Sequence, residues 1–417
     1  MEKYYVFSYN IIIVFSFPGP TLVNRYLLNY IYNVYQTRMS SIIFIGTSHP
    51  YRGGLAAFNE RLAMEIQTWG HSVRIETFTL QYPGILFPGE TQYSDGPAPE
   101  DIEIKRSVNS IWPINWISVA RRIRREKPDT VILRYWLPFM APCLGTIARI
   151  IKKNGHTRII SLLDNIIPHE KRPGDAFLTR YFVKNVDGFI AMSRSVLSEL
   201  DLFNTDKPRI YSPHPVFDNF GETISRDAAL DKLRLDPSYR YILFFGLIRD
   251  YKGLDIMINA FAHKKLRNIK VRLLVVGEFY VSRAPYDELI KKHKLEKEIS
   301  VYPHFVPNKD VAKWFCASDI IAQPYKSATQ SGITQIGYHF NKPMLVTNVG
   351  GLSEIIPHGK GGYVVNTDPG EVAEALIDFF SNDRYDDFVR GIKSEKDKYR
   401  WDKMVKNLFL LDDSIKK

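Results

Sequence analysis

Short apolar runs alternate with amphipathic stretches along this chain, from Ser41 almost to its end. The first run, Ser41–Ile45, leads through the loop Gly46–Gly54 into Leu55, Phe58, Leu62, Ile66 and Trp69. Their spacing places them on one face of a helix. Gly70 ends that helix, and Val73–Thr77 is the next predicted strand. A Pro- and Gly-rich loop over Gln81–Glu100 follows. The pattern then predicts a helix around Trp116–Lys127, a strand at Thr130–Leu133, a helix from Ala141 to Lys153, and strands Arg158–Leu163 and Gly188–Met192. The polar stretch from Ser212-Pro-His-Pro215 to about Asp231 reads as a linker.

Beyond it the alternation restarts. Strands are predicted at Tyr241–Phe245, Val271–Val276, Ile299–Tyr302, Asp319–Gln323, Met344–Thr347 and Tyr363–Val365. Helices are predicted from Leu254, around Tyr286–His293, at Asn308–Cys316, at Leu352–Ile356 and at Pro369–Phe380. Such alternation predicts an α/β protein with parallel sheets. It divides into two Rossmann-like, doubly wound domains, 39–215 and 216–395, facing across a cleft, with a helical segment over 396–417 able to return to the first. Open sheets of this kind bind ligands at the carboxyl ends of their strands.

Residues 1–38 differ in character. They are rich in Tyr, Asn, Ile and Phe, and the run Tyr4–Phe17, interrupted by Ser8 and Asn10, is shorter than the ~20 apolar residues a membrane span requires. Met39 stands directly before the first clear strand. The expectation is a non-native or disordered extension with translation starting at Met39; the alternative is an amphipathic membrane anchor.

Charge narrows the partners. The 417 residues carry a net charge of +11, which favours anionic ligands or surfaces. Phosphorylated substrates and peripheral contact with an anionic membrane both fit; nucleic acid is not expected, because the cations are scattered and no recognised module is present. The two cysteines, Cys143 and Cys316, lie far apart in apolar settings, as buried thiols do in a reducing compartment. No metal-type Cys/His spacing occurs.

The richest stretch is Phe244-Phe-Gly-Leu-Ile-Arg-Asp-Tyr-Lys-Gly253. An apolar strand runs into Gly246, and Arg249 and Lys252 follow before Gly253 opens a helix. Backbone N–H groups at such a turn favour phosphate, Arg can fork onto phosphate oxygens, and Lys adds a point charge. In isolation the two cations could equally be a solvated pair. Gly53 and Gly54 free the backbone after a strand for close approach of a ligand. Ser331 and Gly332 stand where a helix N-terminus would meet an anion. Glu278, after Gly277, could reach a base or ribose or merely cap a loop. Asp164 and His169 follow a strand of the first half, where either could receive a proton from a hydroxyl. Arg134-Tyr135-Trp136, at another strand end, could form an aromatic platform or simply core and rim.

Several of these pieces occur in the order of a known family. From about Met39 to Asp383 the chain resembles the GT-B glycosyltransferases of the large retaining family 4. The resemblance rests on Gly53-Gly54, Asp187-Gly188-Phe189-Ile190-Ala191-Met192-Ser193, Gly246…Arg249…Lys252-Gly253, Val275-Val276-Gly277, and Asn341-Lys342-Pro343 with Thr347…Gly350-Gly351…Glu354. It implies a metal-independent hexosyltransferase acting in the cytoplasm, at the inner face of the membrane where its acceptor is lipid-linked. A nucleoside-diphosphate sugar would be the donor substrate and no cofactor would be needed. Gly246, Arg249, Lys252, Gly277, Glu278, Ser331 and Gly332 would serve the donor. Gly53, Gly54, Arg134, Asp164 and His169 would serve a glycan or lipid-linked acceptor, in a family that commonly assembles cell-surface polysaccharides.

One departure stands out. The family carries two glutamates eight positions apart around a Gly-rich turn, whereas Ser327-Ala-Thr-Gln-Ser-Gly-Ile-Thr-Gln-Ile-Gly337 has none. Thr329 or Gln330 falls near the first position and Gln335 or Gly337 near the second. Amides still hydrogen-bond sugar hydroxyls. The rivals are a nucleotide-sugar 2-epimerase, which would want a carboxylate-rich cleft, and a non-catalytic binding relative. A chain beginning at Met39 is expected to express, to melt at the same temperature as the full chain and to retain its activity; loss of folding would overturn that reading of residues 1–38.

Overall fold

The computed structural model describes residues 2–8, 11–17, 39–84, 87, 89–94, 96–168 and 172–415. It divides into two compact units between Ser40 and Ser41. In the first, β1 (Glu2–Ser8) and β2 (Ile11–Phe17) pair antiparallel, with Glu2 opposite Phe17.

The second unit holds two wholly parallel sheets. One has seven strands: β3 (Ser41–Ile45), β4 (Ser72–Leu80), β5 (Glu103–Asn109), β6 (Thr130–Tyr135), β7 (Arg158–Leu163), β8 (Gly188–Ala191) and β9 (Arg209–Tyr211), in the order β5-β4-β3-β6-β7-β8-β9. The other has six: β10 (Arg240–Phe245), β11 (Val271–Val276), β12 (Ile299–Tyr302), β13 (Ile320–Gln323), β14 (Met344–Thr347) and β15 (Gly362–Val365), in the order β12-β11-β10-β13-β14-β15. Each sheet runs outward in both directions from its first strand, the doubly wound Rossmann order. The direction reverses between β3 and β6 in one sheet and between β10 and β13 in the other. The loops after those four strands therefore border a crevice.

The central strands are nearly continuous apolar runs because helices cover both their faces. Ile42–Ile45, Val131–Tyr135 and Tyr241–Phe245 are all buried. One core joins the two sheets through Phe58, Val216, Phe217, Phe220 and Trp401. The supposed linker is thus part of the core where it crosses over, and its polar end contains the helix Arg226–Leu233. Val216 donates to the Tyr399 carbonyl, and Trp401 Nε1 donates to that of Val216 at 2.8 Å. From there the Trp401–Ile415 helix lies back against the first sheet. Its buried Asp412 accepts from Thr130 Oγ1 at 2.8 Å and from Arg158 Nε at 2.6 Å.

Several elements depart from the pattern-based reading, among them the short strand Arg209–Tyr211 and the helices Arg194–Glu199 and Tyr385–Glu395, and three are instructive. β5 is an edge strand whose Glu103, Lys105 and Arg106 are exposed, so it lacks the apolar run of a central strand. The Asp175–Asn185 helix lies between β7 and β8, where no element was expected. Residues 352–356 form successive turns and not a helix: Gly350 and Gly351 press so tightly on the Ala328 and Thr329 carbonyls that a Cβ would fall 1.6 and 2.2 Å from them.

Candidate active site

The crevice wall supplied by the second domain is built on the turn after β10. Gly246 follows the strand with φ of 101°, Arg249–Gly253 make a single tight turn, and the Leu254–Phe261 helix begins. This turn folds Lys252 inward until only 8 % of it is exposed. A Cβ added at Gly246 would lie 3.2 Å from Lys252 Nζ and 3.3 Å from Ile333 Cδ1. The ammonium therefore sits beside the first turn of the Gly332–His339 helix. The Tyr325 ring centre lies 5.6 Å from it, and no carboxylate pairs with it among the described residues. Burial, and secondarily the Arg249 charge, lower its pKa to about 7. Arg249 also makes no ion pair there; its guanidinium lies 5.1 Å from the Tyr280 ring centre.

Ser331 caps the Gly332–His339 helix, its Oγ accepting from Ile333 N at 3.2 Å. This places the positive end of the helix beside Lys252, a concentration of positive potential suited to an anion. Gly277 packs against the same turn. Its φ is 146°, and a Cβ there would fall 2.0 Å from the Gly246 carbonyl oxygen. Its evident role is this backbone approach.

The first domain supplies the loop after β3. Glu60, reaching back from the Gly54–Thr68 helix, accepts from Ser48 Oγ and His49 N, both at 2.8 Å. The loop is thereby pinned while Gly53 and Gly54 face open space: a Cβ at either would meet no atom within 4 Å. Sequence reasoning did not single out Glu60; its place in the second turn of a helix after a Gly-Gly loop was the available signal.

Beyond these loops the domains are joined across the crevice. Arg52 pairs with Glu278 and stacks 4.0 Å over the Phe305 ring. Glu278 also accepts from Glu90 N at 2.7 Å. Thr329 donates to Asn165, and Gln330 Nε2 donates to Asp164 Oδ1 at 2.8 Å. Asp164 is in turn gripped by Arg134 through two 2.5 Å bonds. Burial pushes the Asp164 carboxyl up, and the Arg134 charge and the bonds from Arg134 and Gln330 oppose it.

Four expectations change accordingly. Glu278 is 5 % exposed with both oxygens engaged, so it anchors the first domain instead of offering itself to a ribose. Arg134 is buried against Phe58, 4.1 Å from its ring centre, and orients Asp164 instead of meeting an acceptor. Tyr135 stacks on Phe182, and Trp136 Nε1 donates to Tyr82, so neither forms a platform. Gln335 is 0 % exposed with neither side-chain polar atom partnered; a sugar oxygen cannot reach it in this conformation. His169 lies outside the described residues. Among those residues no group of His, Cys, Asp or Glu is arranged to hold a metal ion, and no helix is long and apolar enough to cross a membrane.

A cavity of about 440 Å³ lies at the hinge, lined by Arg61, Asp218, Lys396 and Trp401 among others. None of the crevice residues above line it. Arg61 pairs there with Asp218 and Arg400 with Asp402, and the cavity lies away from the carboxyl ends of the strands, where such sheets bind ligands.

Two facing Rossmann domains with an anion-binding turn define a GT-B-type protein, and the comparisons agree. Residues 239–382 match the family model described as Glycosyl transferases group 1. A D-inositol 3-phosphate glycosyltransferase of Pseudarthrobacter chlorophenolicus is 28 % identical over 151 residues, 34 % of this chain and 36 % of that relative's own length. A sucrose-phosphate synthase structure from Thermosynechococcus elongatus superposes with a TM-score of 0.72, covering 90 % of this chain and 99 % of the other at 13 % identity. The Anabaena protein HepE, solved with UDP and glucose, gives 0.66 over 90 % and 100 %, also at 13 % identity. The chain has the GT-B fold, and its residues 239–382 match the Glycosyl transferases group 1 family.

The Arg134–Asp164 pair generates a stability prediction. Arg134→Met leaves a buried carboxylate without its partner and is expected to cost about 3–5 kcal/mol in denaturant unfolding at neutral pH. The double change with Asp164→Leu should recover most of it. A loss below about 1 kcal/mol in the single variant would show that the pair is not coupled.

Proposed function

We propose that this chain moves a hexose from a nucleoside-diphosphate sugar to a glycan or lipid-linked acceptor, with retention of anomeric configuration and without a metal ion, in cell-surface polysaccharide assembly. The observation that carries the reading is Lys252: a lysine 8 % exposed, beside a helix N-terminus and Arg249, with no carboxylate partner among the described residues. Burying a charge without a partner is costly. A ligand that brings two phosphates offsets that cost. The UDP and glucose held by the Anabaena neighbour support a uridine donor.

In this reading the diphosphate lies between Arg249, Lys252 and the Ser331-Gly332 helix start, with its sugar toward Thr329 and Gln330. As the bond to the anomeric carbon breaks, negative charge grows on the leaving diphosphate. Preorganised cations and N–H groups in a low-dielectric crevice stabilise that charge with little reorganisation. The acceptor enters over the open Gly53-Gly54 backbone and attacks on the face the diphosphate leaves. Donor binding requires that Thr329 and Gln330 exchange their bonds to Asn165 and Asp164 for bonds to sugar hydroxyls. Gln330 then turns its amide to the sugar, which is how an amide can serve where the family this chain resembles carries a glutamate.

Arg249→Ala and Lys252→Ala are each expected to lower kcat about 100-fold or more, the ~3 kcal/mol a well-placed charge-stabilising group supplies, and to raise the donor KM much less. Lys252→Arg should not restore the rate, because a planar fork fits a lysine's buried position poorly. Steady-state kinetics with a UDP- or GDP-sugar donor check this. A kcat within about twofold of the parent in both Ala variants, worth only ~0.4 kcal/mol, contradicts the assignment.

A further inference from the structure

Around the start of the Pro113–Glu126 helix the surface carries large apolar side chains that stand exposed among the described residues. Ile111 is 46 % exposed, Trp112 56 %, Ile114 67 % and Ile117 36 %. The opposite side of the helix is satisfied, with Val119, Ala120 and Ile123 buried and Trp116 Nε1 donating to the Asn109 carbonyl at 2.6 Å. At helical spacing Ile114 and Ile117 continue into Arg121, Arg124 and Arg125 along one exposed stripe. Glu126, the acid of this helix, is taken by Arg74 and Arg122. Arg121, Arg124 and Arg125 make no ion pair among the described residues. Arg124 also touches the Lys153 carbonyl, at 3.4 Å, which brings the exposed Lys153 to the same surface.

We infer that this face docks onto the surface of an anionic lipid bilayer. The helix is graded along its axis, apolar at its N-terminal end and cationic roughly 16 Å further on, at 1.5 Å per residue. A tilted approach puts Trp112, Ile114 and Ile117 at the headgroup–acyl boundary, where Trp is favoured, and leaves the arginines among anionic headgroups. A second copy meeting this face across a two-fold axis would supply no anionic partner to Arg121, Arg124 and Arg125, since both copies present the same surface. Charge complementarity therefore selects the bilayer.

The placement also serves an acceptor. Residues Ser110–Trp112 follow the carboxyl end of β5, the edge strand of the first sheet. In a parallel sheet that is the end where Gly53-Gly54 and Asp164 also lie. Docking there sets the acceptor side of the crevice next to the bilayer surface. The inference stands on this face alone and does not depend on the donor assigned above.

Vesicle sedimentation with the full chain and no donor tests it. Binding is expected to phosphatidylcholine vesicles containing roughly a third phosphatidylglycerol, at least about tenfold tighter than to phosphatidylcholine alone, and to weaken with salt. The triple change Trp112→Ser, Ile114→Ser and Ile117→Ser should lower that binding about tenfold or more without moving the melting temperature. Arg121→Gln and Arg125→Gln should each lower it about fivefold. Failure of the parent chain to bind the anionic vesicles, or unchanged binding by the triple variant, overturns the inference. So does a dimer in sedimentation that the triple change dissolves, since the face would then belong to a second copy.

Discussion

A lysine ammonium kept from water without a counter-charge is the constraint around which the crevice is organised. Lys252 is driven inward by a turn that closes between Arg249 and Gly253. Tyr325 offers a ring face, Gly246 offers space, and the Gly332–His339 helix offers its positive end. All of these raise or tolerate positive potential; none neutralises it. The fold accepts the cost by lowering the lysine's pKa to about 7, so the site holds its charge loosely until an anion arrives.

The opposite wall solves a different problem. Asp164 is a buried carboxylate, and it is neutralised within its own domain by Arg134. The remaining interdomain bonds, Arg52 to Glu278, Thr329 to Asn165 and Gln330 to Asp164, draw the two domains together through polar groups. Such contacts exchange for ligand contacts at modest cost, because each partner is a hydrogen-bonding group that a sugar or phosphate can replace. The cation turn of one domain and the glycine loop of the other are each held by bonds within their own domain, while the bonds that bridge the domains are exchangeable.

Much of this was legible along the chain. Central parallel strands are buried on both faces, so Tyr241–Phe245, Val271–Val276 and Arg158–Leu163 stand out as apolar runs, and the phosphate-type turn after β10 could be read from Gly246, Arg249, Lys252 and Gly253. The edge strand β5 escaped because half its side chains meet water. The helical reading of 352–356 failed because it weighed side-chain spacing and not the backbone approach of Gly350 and Gly351 to Ala328 and Thr329. The roles of Arg52, Asn165 and Arg134 escaped for another reason: a pair such as Arg52 and Glu278, 226 residues apart, exists only once two domains face each other.

The central claim, that Lys252 sits with a lowered pKa and regains its full charge on a bound diphosphate, is tested most directly by proton uptake on UDP binding. A folded-state pKa of about 7 against an ordinary 10.5 means that near pH 8.5 the free protein holds Lys252 mostly deprotonated. A bound diphosphate restores the ammonium. Titration calorimetry at about pH 8.5, in buffers of different ionisation enthalpy, should then report uptake approaching one proton per UDP. The uptake should fade toward pH 6, where the lysine is already charged, and vanish in Lys252→Met. Proton-neutral binding at pH 8.5, or the same uptake in Lys252→Met, would contradict the account.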